Sequence, residues 1–270
     1  MFHTIIVVPC FNEEGRFCAG EFSRFVDSTP GVDFLLVNDG SRDGTLGVLQ
    51  SLRRQRPNRI SVLNLEKNVG KAEAVRQGFL TAFSWQQDCV GFLDADLATP
   101  LAAIPQLRDV LQRRADIDIV IGARLPLQGR RIERRPIRRF LGGLFAAWAS
   151  WILGVSIRDT QCGAKLFRST AGAQRLFADP FCSRWIFDVE LLARRVRDLR
   201  AAGQSTNSLV YELPLDEWRE IAGSKLKSGD FVKAARELFQ IYFKYLWMQP
   251  AAPALRTQSI PRPNATRRAA

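Results

Sequence analysis

The feature that most constrains the fold is an alternation, over residues 4 to 122, of short apolar runs with longer segments of helical spacing. Each run is nearly continuous in Val, Ile, Leu or Phe, as buried parallel strands are. The alternation predicts β-α-β units, and therefore an α/β domain with a mostly parallel sheet whose ligands bind at the carboxyl ends of the strands. The predicted strands are Thr4 to Pro9, Phe34 to Asn38, Ile60 to Leu65, Val90 to Asp94 and Ile117 to Gly122.

The charge balance of the chain indicates an anionic partner. The sequence has 39 Lys and Arg against 27 Asp and Glu, a formal net charge of +12, which favours nucleic acid, an anionic membrane surface or a phosphorylated substrate. Nucleic acid is not expected, because no helix-turn-helix, zinc-finger or aromatic RNA-binding pattern is present. Acidic side chains at the predicted strand ends would also repel a polyanion unless a metal neutralised them.

The cysteines and the first residues carry little functional signal. The five cysteines form no C-x-x-C pair and His3 is the only histidine, so a zinc site is not expected. We predict reduced thiols that fill core space. The apolar start of the chain is too short for a secretory signal and runs directly into Pro9, which predicts a protein that starts in the cytoplasm.

Charged side chains are placed at the ends of four predicted strands. Asp94 and Asp96 follow the fourth strand, where neither helps a core, so we expect Mg²⁺ or Mn²⁺ to offset their charge. Asp39 ends the second strand, where it can accept from a base N–H or a ribose hydroxyl. Glu13 follows the first strand, where it equally suits the first turn of a helix. Lys71 precedes a helix after the third strand and can face a phosphate.

Two consecutive segments after residue 123 differ from the rest of the chain. Residues 124–139 contain seven arginines and one acid, so we expect this stretch to be exposed and drawn to an anionic leaflet. The 18 residues 140–157 carry no charge but include three glycines, and a spanning helix wants roughly 20 apolar residues. A helix in the membrane interface or against the domain is therefore favoured. We interpret residues 124–157 as a basic and apolar insertion that faces a membrane.

The remaining sequence predicts a strand at Lys165 to Arg168, a helix around Trp185 to Arg197 and a strand at Leu209 to Leu213. Residues 231–248 mix aromatic and basic residues, which suits either an amphipathic membrane-surface helix or a terminal helix packed on the core. The Pro, Ala and Arg content of residues 249–270 predicts a disordered tail. The expected organisation is a main domain over residues 1–230, an interface helix and this tail.

Several short motifs occur in a characteristic order. In that order and context the chain resembles family 2 glycosyltransferases of the GT-A fold, and its later motifs are similar to those of the dolichyl- or polyprenyl-phosphate sugar synthases. The resemblance covers about residues 4 to 247. The motifs are residues 9–13 (PCFNE), 37–41 (VNDGS), 68–71 (NVGK), 94–100 (DADLATP), 121–124 (IGAR), 159–167 (DTQCGAKLF) and 223–225 (GSK).

The resemblance implies an inverting transfer of a hexose from a nucleotide-diphosphate sugar to a polyprenyl or dolichyl phosphate at the cytoplasmic membrane face. Peripheral or monotopic attachment is expected, and the oligomeric state is left open. Ala98 stands where mannosyl-transferring relatives tend to carry a polar metal ligand, which favours UDP-glucose over GDP-mannose. The open alternative is a soluble family 2 enzyme with a hydroxyl acceptor, in which Asp188 or Glu190 acts as the base.

The resemblance also assigns roles to individual residues. The nucleotide sugar is assigned to Pro9, Phe11, Glu13, Asp39, Lys71, Asp94, Ala95 and Asp96. The metal and diphosphate are assigned to Asp94 and Asp96, and phosphate contacts to Arg124, Arg138 and Arg219. Arginines 134, 135 and 139 compete with Arg138 for its role. The acceptor and a closing loop are assigned to Gln161, Ser224 and Lys225, while Asp188 and Glu190 either bind the sugar or cap arginines.

Overall fold

The computed structural model describes residues 2–206, 210–221 and 230–247, without the side chains of residues 138 and 230–232. The predicted closing loop with Ser224 and Lys225 and the predicted tail, residues 249–270, lie outside the described residues.

A central sheet organises the described chain. Its seven strands have the order β3-β2-β1-β4-β7-β5-β8, and β6 pairs with β9 in a separate ribbon. All pairs in the central sheet are parallel except those of β7, which runs antiparallel to β4 and β5. The strands are β1 Thr4–Cys10, β2 Val32–Asp39, β3 Ile60–Leu65, β4 Cys89–Leu93, β5 Ile119–Ala123, β6 Arg131–Glu133, β7 Ala164–Arg168, β8 Tyr211–Pro214 and β9 Glu217–Arg219.

Helices cover both faces of the sheet, which explains the continuous apolar strands. Side chains of β1 alternate between the faces. Val7 packs under helix α3 (Lys71–Phe83), whereas Ile6 and Val8 face the side of helices α1 (Ala19–Ser28), α2 (Thr45–Gln55) and α4 (Ala103–Arg113). The mostly parallel α/β prediction is confirmed. The helices are α1 Ala19–Ser28, α2 Thr45–Gln55, α3 Lys71–Phe83, α4 Ala103–Arg113, α5 Pro136–Leu153, α6 Ala171–Ala178, α7 Phe187–Ala201 and α8 Asp230–Tyr242, which continues as a π-helical turn over Phe243–Trp247.

The antiparallel strand β7 brings a distant loop to the carboxyl end of β4. The register pairs Leu93 with Ala164, so Gly163 lies beside Asp94, whose backbone N–H donates to the Gly163 carbonyl at 3.1 Å. This pairing places residues separated by about 70 positions in one site.

Helix α5 forms most of the predicted apolar segment. Pro136 occupies its first turn, and Gly154 ends it in the left-handed conformation at φ 67°, the backbone that glycine adopts without steric cost. Ala149 and Leu153 are buried, while the opposite side of the helix is exposed. No helix in the described ranges is long and apolar enough to cross a membrane.

Helix α8 packs on the core with one side and meets solvent with the other. Leu238 and Ile241 are buried, whereas Phe239 is half exposed, as is Phe243 in the π-helical turn. Of the two alternatives for residues 231–248, packing on the core is observed in the described part of the helix. A membrane-surface role for its exposed side stays a prediction.

Two expectations about burial are wrong in part. The stretch 124–139 is not uniformly exposed, because the side chain of Arg124 is only 13% exposed in its pair with Asp159. The five free cysteines do not all fill the core either. Cys18 and Cys182 are exposed, and the other three are buried.

Candidate functional site

The carboxyl ends of β1, β2 and β4 enclose a cavity, which we call the strand-end cavity. All eight residues assigned to the nucleotide sugar line it, so the sequence motifs converge in space as the parallel topology requires. Cys10, Asn68, Gly70 and Trp185 complete its wall. The eight predicted residues are Pro9, Phe11, Glu13, Asp39, Lys71, Asp94, Ala95 and Asp96.

The loops after β1 and β2 are tied to each other beside this cavity. Asn12 takes a left-handed backbone at φ 54°, and its side-chain oxygen accepts from the Arg42 N–H at 2.9 Å. The Asn12 N–H donates to Ser41 Oγ at 3.0 Å, and the Glu13 N–H donates to Thr45 Oγ1 at 2.8 Å. These bonds fix the positions of Phe11 and Glu13 at the cavity rim.

Asp39 braces the loop that leads into α3. Its carboxylate accepts from the N–H groups of Val69 and Gly70 at 2.7 and 3.0 Å and from Asn68 Nδ2 at 3.0 Å. Burial raises the pKa of Asp39 above its ordinary value, against the lowering effect of the two backbone bonds. The carboxylate therefore holds the start of α3 at the cavity.

Asp94 and Asp96 stand in the loop after β4. Lys71 Nζ lies 2.6 Å from Asp94 Oδ1, and the Ala98 N–H donates to Asp96 Oδ1 at 3.0 Å. Burial raises the pKa of Asp96, and the charge of Asp94 adds to the effect while the Ala98 bond and Lys71 oppose it. A Cβ on Gly163 would lie 2.1 Å from Asp94 Oδ2. Any residue other than glycine at position 163 would therefore clash with the Asp94 carboxylate in its present position.

A second cavity adjoins the first, and we call it the helix-walled cavity because α5 and α8 form one side. It shares Asp94, Asp96 and Trp185 with the strand-end cavity. Its polar side includes Arg124, Arg134, Thr99, Gln161 and Glu220. Its apolar side is Leu141, Phe145, Ile186, Trp218, Ile221 and Ala234.

Arg124 is held rigidly in the helix-walled cavity. Its guanidinium makes a two-pronged pair with Asp159, with both N···O distances 2.7 Å, and lies 5.2 Å from the centre of the Trp218 ring. Burial alone would lower the pKa of Arg124, but the bonds that it donates to Asp159 raise it well above its ordinary value. Arg124 is therefore a permanent, oriented cation.

Arg134 points a second guanidinium into the same cavity. It lies over Gly142, where a Cβ would come within 2.3 Å of Arg134 Nη2. Burial and the charge of Arg124 lower its pKa, and among the ion pairs of the described residues none involves Arg134. Two guanidiniums therefore face one cavity, and the one without an ion pair among the described residues makes this side of the cavity suited to an anion.

Other predicted residues lie elsewhere. Arg219 lines neither cavity; its side chain is 60% exposed and pairs with Glu217 at 2.5 Å. Arg138 lies in α5, and its side chain is not among those described. Asp188 pairs with Lys165 at 2.7 Å, and buried Glu190 accepts from Arg194 and Tyr245, both at 2.8 Å. Asp188 and Glu190 thus line neither cavity, and each pairs with a basic side chain.

Several cavity residues are missing from the sequence-based assignment, among them three aromatic residues and one arginine. Trp185 borders both cavities, and Trp218, Phe145 and Arg134 line the second. Trp218 directly precedes Arg219, and Trp185 lies three positions before Asp188. A large aromatic residue close in sequence to a predicted polar site residue is therefore the signal that could have found both tryptophans. Arg134 had been one of four competing arginines.

The carboxylates of Asp94 and Asp96 fit a hard divalent cation only in part. The described residues contain no group of three or more acidic, histidine or cysteine side chains that could hold a metal ion. Mg²⁺ commonly binds through one or two carboxylates and completes its shell with water and substrate phosphate oxygens. The half-buried, like-charged pair therefore suits a cation that arrives with a phosphorylated ligand.

Comparisons with known proteins agree with this geometry. Residues 5–177 match the family model described as Glycosyl transferase family 2. A dolichyl-phosphate beta-glucosyltransferase of Trichomonas vaginalis is 35% identical over 261 residues, covering 91% of this chain and 73% of the relative. That of Drosophila melanogaster is 34% identical (89% and 74% covered), and that of Homo sapiens is 31% identical (89% and 75% covered).

Solved structures show the same fold. The glucosyl-3-phosphoglycerate synthase of Mycobacterium tuberculosis in complex with UDP aligns with a TM-score of 0.61 at 19% identity, covering 90% of this chain and 80% of the other. Its complex with Mn²⁺, UDP and glucosyl-3-phosphoglycerate aligns with a TM-score of 0.63 at 18% identity, with the same coverage. A further complex of that enzyme contains Mg²⁺ and UDP.

Proposed function

This chain belongs to glycosyl transferase family 2, and from that membership we propose that it transfers glucose from UDP-glucose to a dolichyl or polyprenyl phosphate. The observation that carries the proposal is the meeting of two cavities at Asp94 and Asp96, one lined by the nucleotide motifs and the other by two guanidiniums and apolar walls. The similar chains named dolichyl-phosphate beta-glucosyltransferase support the choice of donor sugar and acceptor.

The donor occupies the strand-end cavity. Pro9, Phe11 and Glu13 contact the nucleoside, Asp39 holds the loop beneath it, and Lys71 faces the diphosphate. Glucose is favoured over mannose because Ala98 offers no polar side chain to the helix-walled cavity. The complexes of the structurally similar synthase with UDP and UDP-glucose support a uridine nucleotide.

Asp94 and Asp96 are the proposed ligands of Mg²⁺ or Mn²⁺, which when bound would neutralise charge on the departing diphosphate. The raised pKa of Asp96 indicates a carboxylate that gains from a nearby cation. Complexes of the similar synthase with Mn²⁺ or Mg²⁺ support this choice of metals.

The acceptor phosphate binds between Arg124 and Arg134. A phosphomonoester has a second pKa of about 6, so its oxygen is already anionic near neutral pH and needs no strong base. This agrees with Asp188 and Glu190 being paired with Lys165 and Arg194. The two arginines align the oxygen behind the anomeric carbon, and a single displacement converts an α-linked donor into a β-linked product.

The lipid chain leaves the site along α5 and α8. Phe145 and Ala234 of these helices wall the cavity, and their outer sides carry exposed apolar side chains. We place these sides in the headgroup region of the cytoplasmic membrane face, with residues 231–248 as an interface helix and the neighbouring arginines on anionic headgroups. Attachment is peripheral or monotopic.

Replacement of Arg134 tests the acceptor site. In a transfer assay with UDP-glucose and a detergent-dispersed polyprenyl phosphate, Arg134→Ala should raise KM for the lipid about 10- to 100-fold, because a charge-assisted contact contributes roughly 1.5–3 kcal/mol. UDP affinity should be unchanged. Arg131→Ala is the matched control, since that arginine is exposed on β6 and lines neither cavity. Equal lipid KM values in both variants would contradict the assignment.

A further inference from the structure

The position of Lys71 is fixed by the backbone around it. Lys71 is the first residue of α3, directly after Gly70, which has φ 91°. Asp39 holds the N–H groups of Val69 and Gly70. From this anchored start the Lys71 side chain reaches across the strand-end cavity and places Nζ 2.6 Å from Asp94 Oδ1.

Acidic groups surround the Lys71 ammonium. Its Nζ pairs with Asp94, and the carboxylates of Asp96 and Asp188 also attract it. Asp188 already has its own cation, because Lys165 Nζ lies 2.7 Å from Asp188 Oδ1 and also donates to the Cys162 carbonyl at 2.6 Å. Lys71 is therefore the cation that balances Asp94.

A divalent cation bound by Asp94 and Asp96 would stand next to this ammonium. Like charges repel at such separations, so Lys71 in its present position opposes entry of the metal. The side chain is 46% exposed and lines the cavity. Its flexible four-carbon stem can carry the ammonium to a phosphate oxygen.

We propose that Lys71 is the resident counter-cation of Asp94 and that it moves to the donor diphosphate as the metal binds. Metal and nucleoside diphosphate then bind as a pair, each strengthening the other by the same factor. This inference rests on the proposed metal and donor sites. It makes Lys71 a positioning residue that keeps Asp94 neutralised until the donor arrives.

Mn²⁺ binding, followed through the electron paramagnetic resonance signal of the free ion, tests this inference without turnover. The wild-type protein should bind Mn²⁺ weakly alone and at least tenfold more tightly with UDP. Lys71→Met should bind Mn²⁺ alone about tenfold more tightly than wild type, because the competing cation is gone, and UDP should strengthen that binding less. Lys67→Met, a nearby lysine that lines neither cavity, should behave as wild type.

The possible results separate this inference from the function beneath it. If UDP strengthens Mn²⁺ binding to wild type but Lys71→Met binds Mn²⁺ alone no more tightly, the counter-cation role is overturned while the metal site stands. If wild type binds no Mn²⁺ even with UDP, the metal site and the counter-cation role are both overturned. Thermal unfolding of Lys71→Met confirms that the variant is folded in each comparison.

Discussion

Asp94 shows how little space the site leaves for a single carboxylate. Lys71 holds one of its oxygens, and the other lies where a Cβ of residue 163 would be. The backbone of Asp94 is tied to the Gly163 carbonyl by the antiparallel strand β7. The location of the charge is therefore set by one glycine and one lysine from distant parts of the chain.

Gly163→Ala should reduce turnover about 10- to 100-fold with little change in stability. The added Cβ would lie 2.1 Å from Asp94 Oδ2, and the short side chain of Asp94 can yield only by leaving its position, which a small misplacement makes costly. Initial rates and thermal unfolding measure the two effects. Gly47→Ala is the control, because nothing lies within 4 Å of its Cβ position. Unimpaired turnover by Gly163→Ala would show that Asp94 need not stay where it is.

Asp159→Asn should lower the free energy of unfolding by about 3 kcal/mol at pH 7, because it leaves Arg124 buried without its counter-charge. The bonds from Arg124 hold the pKa of Asp159 below its ordinary 3.8, although burial opposes them. The stabilisation of the folded state by ionised Asp159 is therefore complete above pH 3.8. It is lost as the pH falls through the lower pKa that Asp159 has in the folded protein. Urea unfolding of both proteins from pH 7 to pH 3 should show their difference shrinking only below about pH 4. A constant difference would contradict the ion-pair explanation.

Single residues were predicted best where a motif gives the residue type and its place on a strand. The eight residues that the resemblance assigns to the nucleotide sugar line one cavity, because the ends of neighbouring parallel strands converge. Arg134 and Trp185 could not be chosen in this way, because their positions depend on how α5 and α8 pack. The partners of Asp188 and Glu190, Lys165 and Arg194, likewise depend on tertiary packing, and the role of the two acids stays a prediction.

At the scale of elements, α5 and α8 each line the helix-walled cavity on one side and expose apolar side chains to solvent on the other. At about 100° per residue, the exposed residues Ile137, Phe140, Leu144 and Trp151 fall within roughly 60° of arc on α5. Trp148 of α5 contacts Phe239 of α8, with ring centres 5.7 Å apart. The exposed sides of the two helices thus adjoin.

Trp151→Ser should weaken binding to vesicles of phosphatidylcholine and phosphatidylserine about tenfold, since one large apolar side chain contributes roughly 1.5–3 kcal/mol when buried. Stability should not change, because this side chain is 79% exposed. Trp85→Ser, which removes another exposed tryptophan outside α5 and α8, should leave vesicle binding intact. Co-sedimentation measures both, and equal binding by the two variants would contradict a membrane-facing α5.

The elements themselves followed from local pattern, whereas their pairing did not. Apolar runs located β1 to β5, and helical spacing located the start of α7, to within a few residues. The antiparallel direction of β7 and the β6–β9 ribbon arise from tertiary packing, which no local pattern specifies. The same limit applied to residues 231–248, whose mixed composition fitted both a packed and an exposed helix.

At the scale of the whole molecule, two cavities meet at one acidic loop beneath an apolar, arginine-flanked surface. Asp94 and Asp96 belong to both cavities, so a donor and an acceptor bound there would be adjacent. The helices that wall the helix-walled cavity also carry the exposed apolar residues. A water-soluble donor and a lipid phosphate can thus reach a common point from opposite sides.

The most direct measurement is UDP release and glycolipid formation by the purified protein with UDP-glucose, Mg²⁺ and a polyprenyl phosphate in detergent. We predict turnover that requires the lipid phosphate, prefers UDP-glucose to GDP-mannose and falls at least 100-fold in Asp96→Ala, because that variant loses electrostatic support for the leaving diphosphate. Turnover that is the same with polyprenol lacking the phosphate, or with no lipid at all, would contradict the account.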